Sequence, residues 1–347
     1  MPSALHSDIR EAAEALDISV DHLESAAVRA DQIVRDAESE LTKACPPAGD
    51  ESPYDVVVLG SVARGEVTVG SDVDYLVIAY ALPPMGHLDF SHKLLKSMDN
   101  FVNNYSKETA LKAPGATGIF GKVVAAADLF ERIGLEQDTN LTQTRRVLLY
   151  EESRSIYRPD LWDQLIQSII GRYLHDNPHK NGPPRFLIND TIRYWRTLAV
   201  DYQAKRWDML KPDWGLRYLK LIITRKLTFA GTMASLLLTE DPARVWLHDQ
   251  FRKPPLARLA QLHSRLEKPF DEDLRTVLEV AEEFVGALGQ DEFRIRVRKV
   301  ESPADSGIVP EFDRFRKMAQ ERLQPSLERL FFESGLLKEK SRKYLSF

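Results

Sequence analysis

One segment constrains this chain more than any other: Val56–Ala79, which reads VVVLGSVARGEVTVGSDVDYLVIA. The β-branched run from Tyr54 to Leu59 predicts a buried strand, and Asp72–Ala79 predicts a second. Between them lie a Gly-Ser pair and an Arg-Gly pair. Gly60, Ser61, Arg64, Ser71, Asp72 and Asp74 are therefore gathered within fifteen residues. Few folds have a use for that spacing, because it places two acids at the head of one strand and a glycine turn at the end of its neighbour.

Each residue type has a physical role there. Side chains at i and i+2 of a strand share a face and lie about 7 Å apart along the chain. Asp72 and Asp74 can thus converge, with Val73 turned into the core. Two adjacent carboxylates repel each other, and a divalent cation removes that cost, so the pair predicts Mg2+ (or Mn2+) ligands. Gly60 lets the backbone approach a phosphate, and the following amides with the Ser61 and Ser71 hydroxyls can donate to its oxygens. Arg64 is a forked donor within reach of the same phosphates, and Gly65 keeps the turn compact. An ordinary strand end with two solvated acids is the competing reading, and it leaves the Gly-Ser and Arg-Gly pairs unexplained.

The 347 residues are enough for two domains with substantial cores. With 43% hydrophobic and 29% charged residues the composition is that of an ordinary globular protein. A formal charge of -5 argues against a cationic coat for bulk nucleic-acid binding, though a local basic groove stays open. Cys45 is the single cysteine, which excludes an internal disulfide and a cysteine-based zinc site. The first residues lack the basic-then-apolar plan of a signal peptide. The longest apolar stretch, Phe229–Leu238, is well short of the roughly 20 residues of a membrane span. The expectation is a cytoplasmic chain with no membrane association.

Residues 3–44 predict two short helices with acidic faces, the second capped by Ser19, which could dock a partner protein. His87–Tyr105 predicts a helix, Gly115–Val124 a third strand, and Arg146–Ser155 a fourth. Asp128 is placed to cap a short helix over Leu129–Ile133. After Pro159 helical patterns run over 160–175, 186–207, 214–238, 243–265, 271–289 and 310–333. Phe293–Val300 alternates apolar and basic residues as an edge strand would, or else continues a helix. The fold class expected is α+β, with a helical segment at 1–47, a mixed α/β domain at 48–158 and an all-helical domain at 159–347.

The stretch GSVARGEVTVGSDVDYLVI resembles the signature of the DNA polymerase β-like nucleotidyltransferase superfamily, a Gly-Ser followed after about ten residues by Asp-x-Asp. It is most similar to the branch containing PII uridylyltransferase and its bacterial relatives. GIFGKVVAAADLFERIG, RVLLYEESRSIY, RFLINDTIRYWRTLAVDYQAK and WGLRYLKLIITRKL look like that branch too, so the resemblance spans roughly residues 54–230. It implies a mixed-sheet palm followed by helices, and attack of a hydroxyl on the α-phosphate of a nucleoside triphosphate. Many members use a third carboxylate from the next strand. Ile119–Val124 carries none, which leaves Asp128 as the nearest candidate.

Asn189, Arg193 and Arg196 share one helix face by their spacing, as do Arg217 and Lys220, and these are candidate triphosphate ligands. Tyr194, Trp195, Trp214 and Tyr218 lie among them as rings on which a base could stack. His175 and His179 are four apart, but Pro178 breaks the helical metal spacing. The C-terminal stretch LKEKSRKYLSF is basic and holds two acceptor hydroxyls, Tyr344 and Ser346. In length and tail the chain resembles bacterial defence nucleotidyltransferases, among them those of the Hailong anti-phage system, which are thought to build oligomers on a protein primer. The acceptor classes left open are an oligonucleotide, a protein hydroxyl and a small molecule of the aminoglycoside kind. A non-catalytic nucleotide-binding partner protein is the remaining alternative.

Overall fold

Tyr54–Leu59, every residue of it buried, forms strand β1 of a mixed sheet. The computed structural model describes residues 4–345 apart from 47–52, 82–88, 109–111, 113–117, 176–181, 208–212, 303–304 and 306. β2 is Asp74–Ala79, β3 is Lys122–Ala125 and β4 is Ser153–Ser155, in spatial order β3-β2-β1-β4. β2 and β4 pair antiparallel to β1, while β3 runs parallel to β2. β1 is central and covered on both sides, which is why its sequence is a continuous apolar run rather than an alternation.

One face of the sheet, with Val56, Val58, Tyr75 and Val77, packs on Ile33, Val34, Ala37 and Leu41 and on Leu94, Met98 and Phe101. These come from the helices Asp21–Ala44 and Phe90–Glu108. The opposite face, carrying Val57 and Leu59, is covered by the helices Asn140–Glu152 and Pro159–Leu174. Around this sheet the chain forms one compact unit of residues 26–180 and 241–254. The second unit, residues 1–25, 181–240 and 255–347, is helical throughout its described elements. The fold is therefore α+β, a small mixed-sheet palm with a helical region, as expected.

Several expectations need correction. Arg146–Ser155 is a strand only at Ser153–Ser155; the preceding residues end a helix begun by Thr139, whose hydroxyl accepts from the Thr142 amide at 3.2 Å. Val147–Tyr150 are all buried, and a short run that is apolar all round does not distinguish a buried helix from a buried strand. Arg146 lies in the same helix fully buried, its guanidinium doubly bonded to Asp138 at 2.9 and 2.8 Å and donating to the Tyr173 hydroxyl. The third strand starts only at Lys122; residues 118–121 are bent, and 115–117 lie outside the described residues. Residues 243–265 are not one helix: Ala243–Phe251 and Pro255–Ala260 are separated at Pro254-Pro255, where proline removes a ladder donor. Of the two readings of Phe293–Val300 the helix holds: Phe293–Arg298 lie in Asp291–Arg298, and Lys299 and Val300 follow its end.

The second N-terminal helix is long, and Ser19 does not cap it. The Ser19 hydroxyl donates to the Asp21 carboxylate, while the His22 and Leu23 amides donate to Glu282 at 2.7 and 2.9 Å. A carboxylate from a distant helix satisfies these orphan donors and also complements the positive end of the helix dipole. The apolar faces of both N-terminal helices (Ile9, Ala12 and Ala13; Leu23, Ala26, Ala30, Ile33 and Leu41) are buried within the chain. The surface that these helices leave exposed is mixed, with acidic residues beside Val28, Arg29 and Arg35. Domain limits at 47 and 158 do not coincide with the compact units, because Pro159–Leu174 packs on β1 and Ala243–Phe251 packs on Pro159–Leu174.

Candidate active site

The site grows from the junction of β1 and β2. Directly after Leu59 the backbone turns through Gly60 at φ +64°, the left-handed region that side chains disfavour. A Cβ there would meet Asp74 Oδ2 at 3.5 Å, an ordinary contact, so the backbone angle rather than the space demands glycine. Gly60–Arg64 makes a single helical turn whose first amides have no intrahelical acceptor. Gly65, at φ +73°, ends it, and the Glu66 amide returns to the Ser61 carbonyl at 2.9 Å. Ser61 is half-buried on this turn, and buried Val62 fastens the turn to the core beneath.

Asp74 sits opposite Leu59 at the head of β2. Val73 is buried in the sheet core, so alternation turns Asp72 and Asp74 together to the other face. Asp74 is half-buried and Asp72 exposed. The backbone at Asp72 is held by an isolated bridge to Lys112, with the Val73 amide on the Lys112 carbonyl at 3.0 Å. The loop between the two strands is pinned from outside, where Arg29 Nε donates to the Val67 carbonyl at 3.1 Å. Two carboxylates with oxygen donors suit Mg2+ or Mn2+, and Mg2+ commonly uses one or two protein carboxylates plus substrate phosphates. Among the described residues no group of three His, Cys, Asp or Glu side chains is placed to hold a metal.

Other expected ligands are committed elsewhere. Arg64 is only 7% exposed, its Nε bonded to Glu66 at 2.8 Å and its Nη1 to Glu152, whose side chain is 0% exposed. It therefore braces the Gly-Ser turn against the end of the Asn140–Glu152 helix rather than reaching outward as a forked phosphate donor. Ser71 is buried too. Its hydroxyl accepts from the Thr68 amide at 3.0 Å and closes the turn that delivers Asp72.

Asp128 caps nothing; it lies exposed in the first turn of Ala127–Phe130, a helix without a side-chain cap, and its charge faces Arg145. β3 runs parallel to β2 with Ala125 beside Ala79, five residues beyond Asp74. Asp128 thus lies beyond Ala125 in the short helix that follows β3.

The remaining candidates lie in the helical unit. Asn189 and Arg196 are exposed on Arg185–Trp207, and Arg193 is half-buried with Asp190 at 3.5 Å. Arg217 and Lys220 are half-buried on Trp214–Lys220. The expected stacking rings are largely taken. Tyr194 is buried, and Trp214 stacks on Tyr218 at 5.1 Å with Phe312 against both. The basic run 293–299 is largely neutralised, since Arg296 pairs with Glu311 and Arg298 with Asp213, each at 3.2 Å, and Arg294 is buried. Tyr344 is half-buried, with Arg185 over its ring at 5.6 Å, and Ser346 and His179 lie outside the described residues. No described helix is long and apolar enough to cross a membrane.

Sequence patterning gives no sign of the roles of Glu66 and Glu152. A strand over 146–155 would make Glu152 one more polar residue on a half-exposed face. Only the helix end buries it and so requires a cation beside it.

The segment that builds this site is also the one matched in comparison with known families. Residues 41–112 match the model of the nucleotidyltransferase domain, which covers β1, the Gly-Ser turn, the two aspartates and β2. No curated protein matches the chain.

Proposed function

We propose that this chain moves a nucleotidyl group from a ribo- or deoxyribonucleoside triphosphate to a hydroxyl of an oligonucleotide or a protein. The observation that carries the reading is the paired Asp72 and Asp74 at the head of β2, with Asp74 Oδ2 seated over Gly60 within a matched nucleotidyltransferase domain. Asp72 and Asp74 would hold Mg2+, or Mn2+, which when bound supplies charge neutralisation for the phosphates. The acceptor oxygen bonds to the α-phosphorus as the bond to pyrophosphate breaks. The Gly60 and Ser61 amides, with the Ser61 hydroxyl, donate to phosphate oxygens and fix the triphosphate against that attack. Arg64 acts behind them, holding the turn through Glu66 and Glu152.

The end of the tail offers an acceptor on the chain itself, at Tyr344 or Ser346, which would suit a self-primed enzyme of anti-phage defence. The test is incubation of the pure chain with each labelled triphosphate and Mg2+, resolved on denaturing gels. A ladder means oligonucleotide synthesis, label retained on the chain means self-modification, and both must vanish in Asp72→Ala/Asp74→Ala. Activity that survives in that variant would remove the site.

A further inference from the structure

The helical unit contains a cavity of about 390 Å³ that the nucleotidyl-transfer reading does not use. Its wall includes Trp195, Phe229, Lys226, Gln324, Glu328 and Arg196, and the rest of the lining is aliphatic or phenylalanine. Trp195 and Phe229 stack at 5.2 Å, 21° from parallel, giving one flat side. Lys226 Nζ donates to Gln324 Oε1 at 2.6 Å. An ammonium has three donors, so two remain for a ligand. Burial draws the Lys226 pKa below its ordinary value, with Glu328 opposing the shift, so an incoming anion would favour the charged form. Arg196 is exposed, and among the described residues no hydrogen bond or ion pair engages it.

The backbone singles out the same place independently. Leu221–Arg225 and Met318–Leu323 are both π-helical, and Lys226 and Gln324 are the residues that immediately succeed them. A π-turn widens the helix and rotates the next residues away from their positions in a regular α-helix, and such turns gather at functional sites. Here two of them, on helices that touch each other, deliver the two partners of one polar contact into one apolar cavity.

We propose that this cavity is a binding site for a small aromatic monoanion, a ring system carrying one carboxylate or sulfonate. The ring lies along the Trp195–Phe229 wall, and the acid group meets Lys226 and Arg196. Two cations against the Glu328 carboxylate leave one net positive charge. That balance suits a single acid group and opposes the several negative charges of a triphosphate. The size is that of an ordinary small-molecule pocket between helices of a bundle.

The test is calorimetric titration of the full chain with 8-anilino-1-naphthalenesulfonate, without nucleotide. One site per chain is expected. Lys226→Met and Arg196→Ala should each weaken binding about tenfold, and Ala230→Leu, which pushes three more carbons into the cavity, should weaken it by at least as much while leaving the circular dichroism spectrum unchanged. N-phenyl-1-naphthylamine, the same rings without the acid, should bind at least tenfold more weakly. Equal binding of the two probes overturns the anion assignment, and binding indifferent to Lys226→Met and Ala230→Leu overturns the location. Displacement of the probe by an equal concentration of ATP would overturn the monoanion reading. Binding should persist in Asp72→Ala/Asp74→Ala, so the fate of this site is separate from that of the transferase reading.

Discussion

Removal of Arg64 should destabilise the sheet unit more than removal of Glu152, and the difference can be worked from the burial of the three charges. Arg64 is 7% exposed between Glu66, 16% exposed, and Glu152, at 0%. Breaking a buried pair by deleting one partner costs about 3–5 kcal/mol, because the survivor keeps its desolvation penalty without its counter-charge. In Arg64→Met two carboxylates are left with no cation between them, so the cost falls at the upper end, about 4–5 kcal/mol. In Glu152→Gln the guanidinium keeps Glu66 and gains an amide oxygen, which brings the cost down to about 1–3 kcal/mol. At roughly 2–4 °C per kcal/mol for a unit of this size, the melting temperature falls by about 8–20 °C and about 2–12 °C respectively. The double variant Arg64→Met/Glu152→Met should recover part of the Arg64→Met loss, since only Glu66, near the surface, then lacks a partner. Urea unfolding followed by circular dichroism measures all three. If Arg64→Met costs under about 1 kcal/mol, the low end for a lost hydrogen bond, or if the double variant is simply additive, Arg64 is not the buried brace of the Gly-Ser turn. Its release to bind phosphate then becomes the better account.

Asp55 is fully buried, and burial pushes its carboxyl up to about 7 despite hydrogen bonds from Arg158, Ser155 and Val56. The folded chain therefore holds a proton there that the unfolded chain releases near pH 4, so the stability contributed by this group is fully present below that pH and is lost as pH rises through 7. The loss is on the order of 3–4 kcal/mol. Asp55→Asn should flatten this part of the pH–stability profile, and a wild-type profile already flat between pH 4 and 7 would refute the reasoning. Gly60→Ala should cost about 1–2 kcal/mol through its left-handed backbone, measured by urea unfolding; a neutral result would mean that the turn tolerates another conformation. Arg146→Met should cost about 3–5 kcal/mol by stranding buried Asp138, again by urea unfolding, with Asp138→Asn/Arg146→Met losing less.

Local chemistry made much of this protein legible in one dimension. The β-branched residues of Tyr54–Leu59 favour a strand over a helix, positive φ after it favours glycine, and Asp72-Val73-Asp74 sends both carboxylates to one face whenever Val73 is buried. These are statements about neighbours in sequence, set by side-chain branching, backbone angle and the periodicity of each element. The long helices at 185–207, 271–288 and 310–332 were readable for the same reason. What pairs across the chain was not readable. Whether Val147–Tyr150 is helix or strand depends on what surrounds it, because a segment buried on every side carries no period. Whether Arg64 faces a phosphate or a carboxylate depends on Glu152, 88 residues away. The cap on the second helix comes from Glu282, and the place of Asp128 is set by the direction in which β3 pairs with β2. Charges, caps and strand register are settled by desolvation and pairing, and those act between residues that only the folded chain brings together.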